Sequence, residues 1–89
     1  MIYKYILIDT KEAEERAIED KLEKHPNIVD INPLVIEETA KANPFFENYN
    51  VVIKIKAKSI EEIQNIIHSD LKPIPGINHM KIYSKPNSN

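Results

Sequence analysis

The sequence has 89 residues, of which 42% are hydrophobic and 29% are charged, proportions that are usual for one globular domain. Its formal net charge of -2 gives no attraction to nucleic acid or to an anionic membrane, so we do not expect the chain to bind DNA. The chain contains no cysteine, which excludes disulfides and thiolate metal sites. Its apolar N-terminal run is too short for a signal peptide or a membrane span, so a cytoplasmic location is expected.

Residues 2–9 predict a first strand with two apolar faces. Tyr5 and Leu7 point one way, and Ile6 and Ile8 point the other, which is typical of a strand covered on both sides. A chain of this length can place helices on only one side of a sheet. We therefore predict that the other side meets a second subunit, with the strand residues of the interface being Tyr5, Ile6, Leu7 and Ile8.

A first helix is predicted after Asp9 and Thr10, which form a suitable N-cap pair, and it ends before Pro26. Acidic residues fill its first turn and basic residues its last, the arrangement that the helix dipole favours. Its apolar stripe is narrow and consists of Ala13, Ala17, Ile18 and Leu22.

Residues 28–36 predict a second strand that contains Pro33. Proline cannot donate to a ladder, so this strand is expected at a sheet edge or at a bend. The connection over residues 37–48 is longer than ordinary hairpin loops and contains Phe45 and Phe46. It is predicted either to pack on a neighbouring subunit or to fold back on its own edge strand.

The segment from Tyr49 to Ile82 carries the clearest pattern in the chain. An alternating apolar strand over residues 51–57 leads to Ser59 and Glu62, which are spaced as a capping box at the start of a helix. Ile60, Ile63, Ile66, Ile67 and Leu71 then follow at helical spacing. Gly76, the only glycine, follows Pro75 and is predicted to adopt a positive φ angle in the turn to the last strand.

The order of elements is strand, helix, strand, strand, helix, strand. This βαββαβ pattern is typical of an α+β ferredoxin-like sandwich, in which an antiparallel sheet carries two helices on one face. The second strand is an edge in that topology, in agreement with Pro33. We predict a single domain over residues 1–84 and a disordered tail over residues 85–89.

The sequence resembles the ligand-binding domain of the Lrp/AsnC regulators, also called the RAM domain. The resemblance rests on residues 5–10, residues 25–29, residues 49–63, and the Ile-Pro-Gly-Ile turn at residues 74–77. It implies a dimeric α+β barrel that assembles through its sheets into homodimers or ring-like oligomers. It also implies a stand-alone effector-sensing domain in transcription regulation, without a helix-turn-helix, that acts through homo-oligomers or mixes with related regulators.

The resemblance also implies where a small amino-acid-like effector would bind. The corresponding ligand-binding positions are Glu47, Tyr49, Asn50, Met80 and Ile82. The chain departs from the family pattern at most of them, since a family glycine falls on Glu47 and a family aspartate on Asn50. An amino acid needs partners for both charged groups, and burying either one without a partner is costly.

No catalytic residue, metal ligand or cofactor is predicted, and the protein is not expected to be an enzyme. His25, His68 and His79 are not spaced as helical metal ligands, and no Ser/His/Asp grouping or phosphate loop is present. The tyrosines and phenylalanines could stack on nucleotide bases, but packing in the core or at an interface is the favoured role of these residues in an acidic chain. Two alternatives remain open, which are a small dimeric α+β barrel enzyme and a purely structural assembly module.

Overall fold

The computed structural model describes residues 1–34 and 49–83. The elements are β1 (Ile2–Thr10), α1 (Glu15–Glu23), β2 (Ile28–Pro33), β3 (Val51–Ala57), α2 (Ile60–Ile66) and β4 (Ile77–Tyr83). A short 3-10 turn (Glu12–Glu14) precedes α1, and a π turn (Ile67–Leu71) follows α2. The predicted connection over residues 37–48 and the predicted tail lie outside the described residues.

The four strands form one antiparallel sheet in the order β2-β3-β1-β4, and the predicted ferredoxin-like α+β fold is confirmed. β2 lies at one edge, as Pro33 predicted, and β4 lies at the other. Pro33 is paired with Val51 at the last position of the β2–β3 ladder, so the proline interrupts little of it.

Both helices pack on one face of the sheet and enclose an aliphatic core. In β3 the alternation is complete, because every second residue from Val51 to Ala57 is fully buried. From α1 the core takes Ile18 and Leu22, which are four residues apart and lie on the same side of the helix. The core consists of Ile6, Ile8, Ile18, Leu22, Val51, Ile53, Ile55, Ala57, Ile63, Ile66 and Leu71.

The predicted start of the first helix is wrong. β1 continues through Thr10, and α1 begins only at Glu15, with Glu14 at its N-cap and no side-chain capping bond there. Thr10 follows Ile6 and Ile8 on the same face of the strand and is only 5% exposed. The side chain of Thr10 is therefore buried in the sheet and does not cap the helix. Ala13 and Ala17, which were predicted in the apolar stripe of the helix, are exposed.

The first of the two hydrogen bonds predicted for the capping box of α2 is confirmed. The Ser59 hydroxyl accepts from the backbone N–H of Glu62 at 3.1 Å. The Glu62 carboxylate accepts from the N–H of Lys58, one residue before the expected donor, at 3.4 Å. It also accepts from the side-chain amide of Asn27, which ties the start of α2 to the beginning of β2.

Gly76 has a φ angle of 95°, as predicted, in the turn that enters β4. Its carbonyl accepts from the N–H of Lys11 at 2.8 Å, which joins this turn to the end of β1. A Cβ atom at this position would lie against the side chain of Glu14 and 3.0 Å from Cδ1 of Ile18. The glycine is therefore required both by its backbone angle and by the close approach of α1.

Candidate functional site

The sheet face opposite the helices carries a row of aromatic and apolar side chains, which we call the open face. It is made by Tyr3, Tyr5, Leu7, Leu34, Val52, Lys54 and Tyr83. Tyr5 lies between two partners, because β1 pairs it with Lys54 on β3 and with Tyr83 on β4. No helix of the described part of the chain lies over this face.

The open face combines an apolar cavity with a cationic side chain. Tyr5, Leu7, Leu34, Val52 and Tyr83 line a shallow cavity of about 260 Å³. Beside this cavity, the Lys54 ammonium lies 5.2 Å from the ring centroid of Tyr3 and 5.8 Å from that of Tyr5. These distances allow a cation–π attraction to both rings. Tyr3 and Tyr5 nevertheless remain 53% and 45% exposed, which is unusual for two large aromatic residues on one central strand.

The structure places the four strand residues that were predicted at an interface on opposite faces of the sheet. Tyr5 and Leu7 lie on the open face, where Tyr5 is 45% exposed but Leu7 is only 2% exposed, and Ile6 and Ile8 are fully buried between the sheet and the helices. Ile6 and Ile8 therefore belong to the core of the protomer, and a second subunit has no access to them. The other two predicted interface residues, Phe45 and Phe46, lie outside the described residues.

The predicted ligand residue Asn50 is bonded within the protomer. Its side-chain oxygen accepts from the backbone N–H of Thr10 at 3.0 Å, and its side-chain nitrogen donates to the Thr10 hydroxyl at 2.8 Å. Its backbone N–H donates to the carbonyl of Ile8, and its carbonyl accepts from the N–H of Leu34. Asn50 therefore joins the ends of β1 and β2 to the start of β3 with both its backbone and its side chain.

The predicted ligand residues are not brought into one site. Asn50 lies on the β3 side of Ile8, whereas Met80 is paired with Ile8 on the β4 side, so β1 separates the two. Tyr49 is half-buried next to Asn50, and Glu47 lies outside the described residues. Met80 and Ile82 remain together and lie beside the second helix.

A groove runs between β4 and the second helix, and we call it the β4 groove. Two adjoining cavities, of about 260 Å³ and 290 Å³, make up this groove and share Ile67, His68 and Met80. Its remaining lining residues are Gln64, Lys72, Ile77, Asn78, His79, Lys81 and Ile82. The lining is apolar at its base, cationic or neutral at its rim, and contains no carboxylate.

The histidines lie apart and have different surroundings. His25 lies after α1, and its Nε2 is 2.7 Å from a carboxylate oxygen of Asp70 in the π turn. Its Nδ1 accepts from the backbone N–H of Asn27 at 3.1 Å, which places the ring proton of the neutral form on Nε2. His68 and His79 both line the β4 groove. Within residues 1–34 and 49–83, no group of three potential metal ligands is found.

Two of these connections were missed at the level of the sequence. The bond between Thr10 and Asn50 spans 40 residues, and Thr10 was interpreted as a helix cap. The alternation of Ile6, Ile8 and Thr10 was the available signal, since it continues the buried face of β1 by one more position. The contact between His25 and Asp70 spans 45 residues and has no local signal in the sequence.

The described residues define an α+β domain with an antiparallel four-stranded sheet and both helices on one of its faces. Comparison with solved structures places it among proteins that include an AsnC-family regulator, so the predicted resemblance is confirmed in fold. FFRP-DM1 superposes with a TM-score of 0.75 at 18% identity, over 93% of this chain and 96% of its own. TTHA0845 from Thermus thermophilus gives 0.74 at 14% identity, over 98% of this chain and 100% of its own.

A transcriptional regulatory protein from Pyrococcus furiosus, a member of the AsnC family, has a TM-score of 0.62 at 15% identity. The match covers 91% of this chain but only 48% of that regulator, so the shared fold corresponds to about half of the regulator. No protein-family model matches the sequence, and no curated protein matches it. No helix in the described part of the chain is long and apolar enough to cross a membrane.

Proposed function

We propose that the protein is a regulatory assembly domain of the Lrp/AsnC ligand-binding type, which forms homo-oligomers or mixes with related regulators through its open face. The observation that carries this proposal is the exposed apolar and aromatic surface on the helix-free side of the sheet. The shared fold with an AsnC-family transcriptional regulator supports the regulatory part of the proposal.

The composition of the open face suits a contact between subunits. Tyrosine gives a large contact area and keeps a polar group for the rim, and aromatic residues are enriched in such interfaces. Tyr5, Val52 and Tyr83 come from three adjacent strands, so a partner sheet laid over them would contact a continuous surface. Lys54 lies opposite Tyr5 on β3 and close to the Tyr3 ring, so this surface also carries a cationic group.

A catalytic role has less support than an assembly role. Among the described residues, the core is aliphatic, and Thr10 is its only buried polar residue. The hydrogen-bonding groups of Thr10 that contact Asn50 hold the sheet together. An enzyme of this topology would need convergent polar groups in a pocket, and the described interior provides none.

For an effector, the predicted ligand positions differ in whether their side chains are available to a ligand. The side chain of Asn50 already has partners on both its oxygen and its nitrogen. We infer that an effector of this domain is not a zwitterionic amino acid held by Asn50. Met80 and Ile82 line the β4 groove and are the predicted ligand positions that present apolar surface to a ligand.

The assembly is tested by changing Tyr5 to glutamate and measuring the molar mass by light scattering after gel filtration. Tyr5 is 45% exposed, so the protomer is expected to keep its fold while a buried charge prevents the sheet contact. Ile60→Glu is the matched control, because Ile60 is 43% exposed on the helix side. The unmodified protein and Ile60→Glu should form oligomers, and Tyr5→Glu should be a folded monomer. A monomeric unmodified protein at micromolar concentration contradicts the proposal.

A further inference from the structure

Lys54 lies at the centre of the open face. It is the middle residue of β3, which is one of the two central strands of the sheet. The side chains of β3 alternate between the core and the open face, so Lys54 and Lys56 both point to the open face. Lys54 is half-buried, and it is paired with Tyr5 on β1 and with Asp30 on β2. A partner that covers the open face therefore also covers the Lys54 ammonium.

The charge of Lys54 is not matched by a carboxylate of the described chain. The ammonium lies 5.2 Å and 5.8 Å from the ring centroids of Tyr3 and Tyr5, and it forms no ion pair with a described aspartate or glutamate. Asp30, opposite Lys54 on β2, accepts two hydrogen bonds of 3.0 Å from groups of its own strand. The tyrosine rings attract the ammonium, but they do not neutralise its charge.

A contact between two identical open faces brings like charges together. A two-fold contact uses the same patch of both subunits, so a contact centred on Lys54 and Tyr5 places the Lys54 of each copy over one of these two positions of the other. Adjacent strands are about 4.8 Å apart and packed sheets about 10 Å apart, so the two ammonium groups then lie within about one Debye length. They repel each other, and neither gains a partner for its buried charge.

We propose that the open face prefers a related chain with a carboxylate at the position of Lys54, so that mixed pairs are more stable than pairs of identical subunits. In a mixed pair the carboxylate and the Lys54 ammonium compensate each other's burial, and in a pair of identical subunits nothing does. Lys54 then determines which partner is selected, while the apolar and aromatic surface around it supplies the contact area. This inference rests on the proposed assembly through the open face.

The probe is the chain itself with Lys54→Glu, mixed in equal amounts with isotope-labelled unmodified protein and analysed by native mass spectrometry. Random pairing makes half of the dimers mixed. A preference of about a hundredfold, from one opposite-charge contact and two relieved repulsions, makes about nine-tenths of them mixed. Raising the salt concentration should lower this fraction. The matched control is Lys21→Glu, which reverses a charge on the exposed side of α1 and should give mixed dimers in half of the cases.

A neutral variant tests the repulsion without a new charge. Lys54→Gln should self-associate about tenfold more tightly than the unmodified protein in analytical ultracentrifugation, because both ammonium groups are removed. This measurement decides the matter if circular dichroism shows that Lys54→Glu, which is paired with Asp30, does not fold.

Two results overturn this inference and leave the proposed assembly standing. One is a mixed fraction near half for folded Lys54→Glu, and the other is unchanged or weaker self-association of Lys54→Gln, with dimers present in both cases. Monomers in every sample, the mixture included, overturn the proposed assembly together with this inference.

Discussion

Replacing Asn50 with alanine should destabilise the protomer more than any other single change to an exposed or half-buried polar residue of the described chain. The substitution removes the acceptor of the Thr10 N–H and the donor to the Thr10 hydroxyl. Thr10 is 5% exposed, so water does not readily replace Asn50. An unsatisfied buried donor costs about 1–3 kcal/mol and a lost hydrogen bond about 0.5–1.5 kcal/mol, so we expect a loss of about 2–4 kcal/mol.

Three further variants separate the contributions of these bonds. Thr10→Val removes only the hydroxyl and should cost about 1 kcal/mol. Asn50→Asp should stay within about 1 kcal/mol of the unmodified protein, since a carboxylate accepts from both the N–H and the hydroxyl of Thr10. In the double variant of Asn50→Ala and Thr10→Val, the two losses should fall short of additivity by about 1 kcal/mol, the value of the shared bond.

The free energy of unfolding is measured by urea denaturation followed by circular dichroism, at one fixed protein concentration because assembly contributes to stability. Asn65→Ala is the control, because Asn65 is exposed on α2. A loss of less than about 1 kcal/mol for Asn50→Ala would show that the side chain is not held by Thr10 in solution. Asn50 would then be free for a ligand, as the resemblance implies.

Two other predictions concern the turn before β4 and the effector. Gly76→Ala should lose at least about 2 kcal/mol, from its positive φ angle and from contacts with Glu14 and Ile18, and adding Glu14→Ala should recover only the part that is due to the Glu14 carboxylate. Full recovery, seen by the same denaturation assay, would show that the backbone angle contributes nothing. Each of the twenty amino acids at about 10 mM should raise the melting temperature by less than about 1 °C, because Asn50 is already bonded. A larger rise in the melting temperature that is absent in Tyr49→Ala would show that an amino acid binds at the predicted ligand residues.

The fold was predictable because its elements are specified by local patterns. The alternation in β3, the spacing of the isoleucines in α2 and the position of Pro33 each indicate one kind of element or edge. Gly76 indicated the turn before β4, because glycine adopts a positive φ angle more readily than other residues. These signals are carried by neighbouring residues, and the βαββαβ order follows from them without knowledge of long-range contacts.

The errors concern residues whose partners are distant in the sequence. Thr10 is a good helix cap by its local propensity, but its strand pairing and the side chain of Asn50 fix it in the sheet. Ile6 and Tyr5 could both be predicted as buried, but only the packing of the helices shows which one faces the outside. Met80 and Ile82 stay predictions as ligand residues, and the β4 groove that they line could not be predicted, because Gln64, Ile67 and His68 meet them only in the folded protein.

The strand order has a consequence for how the protein is made in the cell. β1 lies between β3 and β4, and these strands begin at Val51 and Ile77. During translation, the apolar segment Ile2–Thr10 is synthesised before α1 and β2, and its first neighbour in the sheet begins only at Val51. Its second neighbour is complete only at Tyr83. The nascent chain therefore carries a β-prone segment without its sheet neighbours until β3 and β4 have been synthesised, so chaperone contact should concentrate on β1.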